Sequence, residues 1–190
     1  MEKLNLKTIL QEYEQTLCNR IFHYELGDKL KIDLIFYSEN FCHLMGFHHV
    51  FVKDKRYLGA SGFKMVNDEK LTVESIKQHN EKGFNFIKSK IENFGRIYEL
   101  LTNGKITGFD TRKVIGDTII SASLIIYHKN KEVLLHLFLR KERDDSSQYA
   151  PVSFIVKSLK DNNYNQFIAR QRHIAISKFE IISKQITYEK

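Results

Sequence analysis

Tryptophan is absent from this 190-residue chain, proline occurs once, cysteine twice and methionine three times. Two cysteines cannot build the disulfide framework of a small secreted fold, so Cys18 and Cys42 read as reduced thiols used as small hydrophobes. No apolar run approaches the roughly 20 residues that a transmembrane helix needs. The N-terminus, MEKLNLKTILQEYEQ, has acids where a secretory signal requires an uninterrupted apolar stretch. These absences imply a cytoplasmic protein with no membrane partner. Two catalytic signatures are missing as well. Gly59-Ala60-Ser61-Gly62 lacks the Lys-Ser/Thr ending of a phosphate-cradling loop, and there is no Gly-x-Ser-x-Gly elbow. His43, His48 and His49 fall as H-x4-HH, but no cysteine or carboxylate completes a ligand set, so neither a metal nor a cofactor is expected.

What is present is core and charge. At 42% hydrophobic and 12% aromatic residues, the chain can bury a substantial interior, and its length fits one domain over residues 1–190. The net charge of +7 is unevenly placed. Residues 1–100 hold 15 Lys and Arg against 14 Asp and Glu, whereas residues 101–190 hold 15 against 9. A basic excess attracts polyanions by releasing their counterions, which makes nucleic acid the first partner to consider; a solvated, lysine-rich surface is the alternative.

Periodicity orders the chain. Leu6, Ile9, Leu10, Tyr13 and Leu17 recur at helical spacing behind a capping Asn5, predicting a helix over 6–19. Leu26-Gly27-Asp28 separates two strands, with Leu30, Ile32, Leu34 and Phe36 on one face of the second. Ser38 is placed to cap a short helix that buries Phe41 and Leu44 and stops at Gly46. Residues 47–68 read as a long, partly irregular excursion, and Thr72 starts a short helix ending near His79. Phe84, Ile87, Ile91, Phe94, Tyr98 and Leu101 form one stripe of a long helix over 84–101. Strands follow from Ile106, with Ile119–Tyr127 and Glu132–Arg140 joined at Lys129-Asn130. A short helical turn at 164–168 then leads to a last strand from His173 to Ile182. The sum is α+β: helices first, then a mainly antiparallel sheet.

Strand alternation sorts side chains to faces. Ala122, Leu124, Leu135, Leu137 and Leu139 make one apolar face. Ser121, Ser123, Tyr127, His136 and Arg140 lie on the other, mixed with Ile125, Leu134 and Phe138, and Ser153 of the next strand joins them. His, Arg, Ser and Tyr beside a loop with Lys141 and Arg143 suit RNA cleavage without a metal. Such a reaction needs a base for the ribose 2′-hydroxyl, an acid for the leaving oxygen and a cation on the phosphate. A structural or surface role for these residues is the competing reading.

Five segments also read together. FYSENFCHLMGFHH (36–49) precedes the helix FNFIKSKIENFGRIYELL, and then come SASLIIYHKN, VLLHLFLRK and YAPVSFIV. This order resembles the phage-associated barnase–EndoU–colicin–RelE-like nuclease domains, in particular the fourth such group, over roughly residues 5–185. The resemblance implies N-terminal helices packed on a curved antiparallel sheet of RelE/barnase type. It implies metal-independent RNase activity and carriage by phages or mobile elements. His43 matches its His-Leu-x-Gly motif, and Tyr149, Pro151 and Ser153 its strand-entry motif. With Arg140 and His136 from the face argument, the candidate catalytic set is His43, His136, Arg140, Tyr149 and Ser153. Lys141, Arg143, Arg112, Arg170 and Arg172 are candidate RNA contacts. The expected partner is RNA, with an inhibitor or antitoxin protein if the chain is a toxin. The rival expectation is a nuclease-derived module that binds RNA or protein without cutting.

Overall fold

The computed structural model describes residues 4–18, 20–27, 29–144 and 146–183. Helix α1 (Leu6–Tyr13) starts at Asn5, whose side-chain oxygen accepts from the Lys7 and Thr8 N–H groups, and it buries Leu6, Leu10 and Tyr13. The expected single helix changes pitch after Tyr13 and continues as a π-helical turn, Glu14–Cys18; residue 19 lies outside the described residues. Strands β1 (Arg20–Leu26) and β2 (Lys31–Ile35) form the anticipated hairpin, with Phe22 opposite Leu34 and Tyr24 opposite Ile32. Residue 28 of its turn is likewise outside the described residues.

Helix α2 (Asn40–Met45) buries Phe41 and Leu44 as expected. Ser38 does not cap it with its side chain: its carbonyl oxygen accepts from the Phe41 N–H, while Asn40 Oδ1 accepts from the Tyr37 N–H. The helix stops at Gly46, which adopts the left-handed conformation at φ 85° that glycine reaches without a steric cost. The expected irregular excursion contains a helix, α3 (Gly59–Asn67), reached through 3-10 turns at Phe47–His49 and Lys55–Tyr57. Its sequence, GASGFKMVN, has poor helix propensity, and packing overrides that. Gly62 sits so close to the Tyr57 carbonyl oxygen that an added Cβ would lie 2.3 Å from it.

Thr72 and Ser75 form a reciprocal capping box at the start of α4 (Val73–His79). The predicted helix over 84–101 is two helices, α5 (Glu81–Asn93) and α6 (Ile97–Asn103), joined by a 3-10 turn around Gly95. The stripe survives the break: Phe84, Ile87, Ile91, Phe94 and Leu101 are all buried.

Strands β3 (Lys105–Gly108), β4 (Leu124–Lys129), β5 (Val133–Lys141), β6 (Gln148–Ser158), β7 (His173–Ile174) and β8 (Ile176–Ser183) complete one eight-stranded sheet. Its order is β7-β3-β4-β5-β6-β2-β1-β8. Only the β2–β6 pairing is parallel. The predicted last strand turns out to be β7 and β8, split at Ala175. β7 pairs with β3 at one end of the sheet and β8 with β1 at the other. One continuous segment therefore ties the two ends together. The expected curved sheet is corrected to a nearly closed, barrel-like one, in a mixed α/β arrangement where the β1–β2 hairpin precedes most of the helices.

The β4–β5 turn lies two residues beyond the predicted one. Asn130 N–H donates to the Val133 carbonyl oxygen, and the Asn130 side chain accepts from Glu132 and Val133 N–H. Tyr127, rather than Ser123, consequently stands opposite His136. The resulting four-residue change of pairing is even, so the β4 and β5 side chains keep their predicted faces, whereas Ala122, before β4, packs on the second core instead of the main one. Leu124, Ile126, Leu135, Leu137 and Leu139 join the main core with the helices. The mixed face is not open, however. Val114, Ile125, Tyr127, Leu134, Phe138 and Phe167 form a second core over it. The predicted strand beginning at Ile119 starts only at Leu124, and the preceding residues run along the surface instead.

Candidate functional site

Beta strand β6 carries a bulge. Phe138 pairs with Ser153, but the next residue, Leu139, pairs with Pro151. Proline cannot donate to a ladder and is found in sheets at such irregularities. Val152 is the extra residue, and its carbonyl oxygen accepts a hydrogen bond from His43 Nε2 at 2.8 Å. A carbonyl can only accept, so Nε2 carries a hydrogen, and in the neutral form of the ring Nδ1 carries the lone pair. Helix α2, packed on β6, thus brings His43 next to Ser153.

Around this contact lies a cleft of about 660 Å³. His43, Arg140 and Ser153 line it, from α2, β5 and β6. Sequence reasoning named these three as catalytic candidates, and His48, His49 and Ser121 in other connections; it did not single out the rest of the wall. His48 and His49 follow the Gly46 turn. Phe86 and Lys90 come from α5, Asp117 to Ser121 from the loop before β4, and Lys157 and Phe167 from the far side. The rings run in a chain: His43 stacks on His48 (4.8 Å, 19°), His48 lies 4.0 Å from His49, and His49 meets Phe86 edge-on at 4.6 Å. The H-x4-HH spacing was visible in the sequence. The partner that gives it meaning, Lys90, is hidden in a helix whose apolar stripe drew all the attention.

The electrostatics favour an anion. Lys90 is only 9% exposed, and among the described residues it has no hydrogen-bond or ion-pair partner. Its ammonium lies close to Gly46, where an added Cβ would be 3.3 Å from Nζ. Burial pushes the Lys90 pKa down to about 8. The Nδ1 atom of His48 is buried without a hydrogen-bond partner. Burial first, then the neighbouring His49, His43 and Lys90 charges, take His48 down to about 4. His49 is lowered by burial, Lys90 and His43. Three basic side chains, Lys90, Arg140 and Lys157, therefore face one carboxylate, Asp117, among the lining residues. An unpaired buried ammonium is costly unless an anion joins it. Among the described residues, no group of three or more His, Cys, Asp and Glu is arranged to hold a metal ion.

Two expected members of the site lie elsewhere. His136 is completely buried in the second core, packed against Phe138 and Phe167, and its ring nitrogens make no well-formed hydrogen bond, the Ile155 backbone offering only a weak one. Burial pushes its pKa down to about 4. Alternation placed it correctly on its face, but the 109–123 and 159–168 segments cover that face. Tyr149 is 3% exposed and belongs to the main core. The bulge at Val152 shifts the alternation, so Tyr149 and Ser153, four residues apart, do not share a face. Burial raises its pKa as well. Of the proposed RNA contacts, Arg112 is held by Asp110 within its own turn, at 2.8 Å. The Lys141 ammonium donates to the Asp144 carbonyl oxygen. Arg143, Arg170 and Arg172 are exposed, and none of these five lines the cleft.

Sequence comparison gives these features a class. One profile of nuclease domains matches residues 5–189, almost the whole chain. The chain belongs to the phage-Barnase-EndoU-ColicinE5/D-RelE like nuclease 4 family. No significant match was found among curated proteins or solved structures. No helix among the described residues is long and apolar enough to cross a membrane.

Proposed function

We propose that the cleft between α2, α5 and β6 is the active site of an endoribonuclease that works without a metal ion. The observation carrying this reading is the convergence of His43, Arg140 and Ser153 on a cleft floored by the unpaired ammonium of Lys90. In the reaction, a ribose 2′-oxygen attacks the adjacent phosphorus and the 5′-oxygen leaves, giving a 2′,3′-cyclic phosphate and a 5′-hydroxyl end. His43 Nδ1 takes the proton from the 2′-hydroxyl, while its Nε2–H stays on Val152. The guanidinium of Arg140 matches two phosphate oxygens at once. The Lys90 ammonium, already near the pKa at which proton transfer at neutral pH is efficient, protonates the leaving oxygen. Ser153 positions the phosphate.

The family name and the charge of the cleft support this reading, which extends to a toxin carried by phages or other mobile elements and acting on RNA in the cytoplasm. Incubating the protein with total RNA in EDTA tests it. Cleavage that is lost in His43→Gln is expected. RNA left intact at high protein concentration would sink the enzymatic reading.

A further inference from the structure

Phe86 is 64% exposed although it borders the cationic cleft. Water gains nothing from a bare phenyl ring, and most other phenylalanines of the chain are buried. Phe86 is held in place: His49 meets its ring edge-on at 4.6 Å and an interplanar angle of 60°. A T-shaped contact engages at most one face of the Phe86 ring, and its 64% exposure leaves the other open to solvent. Phe86 and Lys90 are four residues apart on α5, so both project from one side of the helix, about 5–6 Å apart at their Cβ atoms. That spacing is comparable to the distance from a nucleobase to its own phosphate. The cleft lining also includes Ile119, whose side chain is fully exposed.

We infer that Phe86 is a stacking platform for an unpaired nucleobase, with Ile119 closing over the other side and the attached phosphate held by Lys90 and Arg140. This rests on the cleft being the RNA site and specifies the form of RNA it takes. A base in a duplex has both faces covered by its neighbours and cannot reach a side-chain platform. The substrate class is therefore single-stranded RNA, or the unpaired loops and ends of folded RNA. Stacking is tolerant of base identity because every base has a π-face, so Phe86 supplies affinity and selection for single strands without reading sequence.

The test is a binding measurement that does not depend on cleavage. A labelled 2′-O-methyl oligoribonucleotide has no free 2′-hydroxyl and cannot be cut by the proposed route. Its affinity is measured as a single strand, as a duplex and as a single strand of abasic residues. The wild type is expected to prefer the single strand. Phe86→Ala should weaken that binding about 5- to 150-fold, leave binding of the abasic strand unchanged, and be rescued by Phe86→Trp. Phe86 is exposed, so these variants keep the fold. Equal affinity of Phe86→Ala and wild type for the single strand, or equal losses on the base-containing and abasic strands, would overturn the proposal. Failure of catalysis alone leaves this result intact, whereas loss of the stacking effect in an actively cleaving enzyme removes only the platform.

Discussion

His43 Nε2 donates to the carbonyl oxygen of Val152 at 2.8 Å, across 109 residues of chain. The acceptor is the extra residue of a β-bulge, and the donor sits one turn from the left-handed glycine that ends α2. This single bond fixes the tautomer of the ring and places His43 beside Ser153 on the cleft wall. It also makes the first prediction specific.

His43→Gln keeps an N–H donor in reach of the Val152 oxygen but has no nitrogen able to take a proton. Cleavage should fall by about 10²- to 10⁴-fold, the usual contribution of a general acid–base group. Thermal stability should stay close to that of the wild type. His43→Ala should lose cleavage and some stability together. Cleavage rates and melting curves of both variants separate the two effects.

Lys90 should cost the fold stability in the absence of an anion. Its pKa is about 8 in the folded protein, below the ordinary lysine value of 10.5. Between those values the unfolded chain holds a proton that the folded chain has released, so stability rises with pH through that window. Lys90→Met should remove a penalty on the order of 3 kcal/mol near neutral pH and flatten the alkaline rise. Inorganic phosphate should raise the melting temperature of the wild type and leave that of Lys90→Met unchanged.

His136 should behave as a core residue. The folded protein keeps it neutral down to about pH 4, whereas the unfolded chain protonates it near 6.5. Stability should therefore drop as pH falls from 6.5 to 4. His48, lowered to the same range, contributes to the same loss. His136→Leu should lessen the acid sensitivity and raise stability, because two buried nitrogens without well-formed hydrogen bonds disappear. Its cleavage rate should match that of the wild type. Chemical denaturation at several pH values, with an activity assay alongside, checks both halves.

Gly46 should resist substitution. A Cβ there would sit 3.0 Å from Ile87 Cγ2 and 3.3 Å from Lys90 Nζ, on a backbone at φ 85°. Gly46→Ala should cost about 1–2 kcal/mol from the left-handed conformation alone and should also weaken phosphate binding by displacing Lys90. A calorimetric titration with phosphate reads the second effect.

Much of this arrangement was legible in the chain, for identifiable reasons. The strand faces survived a misplaced turn because a slip of four residues in the pairing, like any even slip, preserves alternation. The same alternation assigned His136 and Ser153 to one face and could not show that the 109–123 and 159–168 segments would cover His136. Tyr149 entered the candidate set through the strand-entry motif of the resemblance, and the bulge, of which Pro151 was the visible sign, turns it onto the main core. The closure of the sheet was illegible, since nothing local in His173–Ser183 says that its two halves pair with strands at opposite ends. Lys90 escaped notice because a lysine at a helix position beside Ile91 reads as solvated until tertiary packing buries it. Helix α3 was missed because its glycines speak against a helix, and the close Gly62–Tyr57 approach that requires one of them is a tertiary contact.

The central claim, metal-independent cleavage through the 2′-hydroxyl, is tested most directly by end-group analysis of a single-stranded oligoribonucleotide incubated in EDTA. The account predicts fragments ending in a 2′,3′-cyclic phosphate, a matching 5′-hydroxyl, and no cutting of the 2′-O-methyl version of the same strand. Intact RNA in EDTA, or equal cutting of the 2′-O-methyl strand, would contradict it.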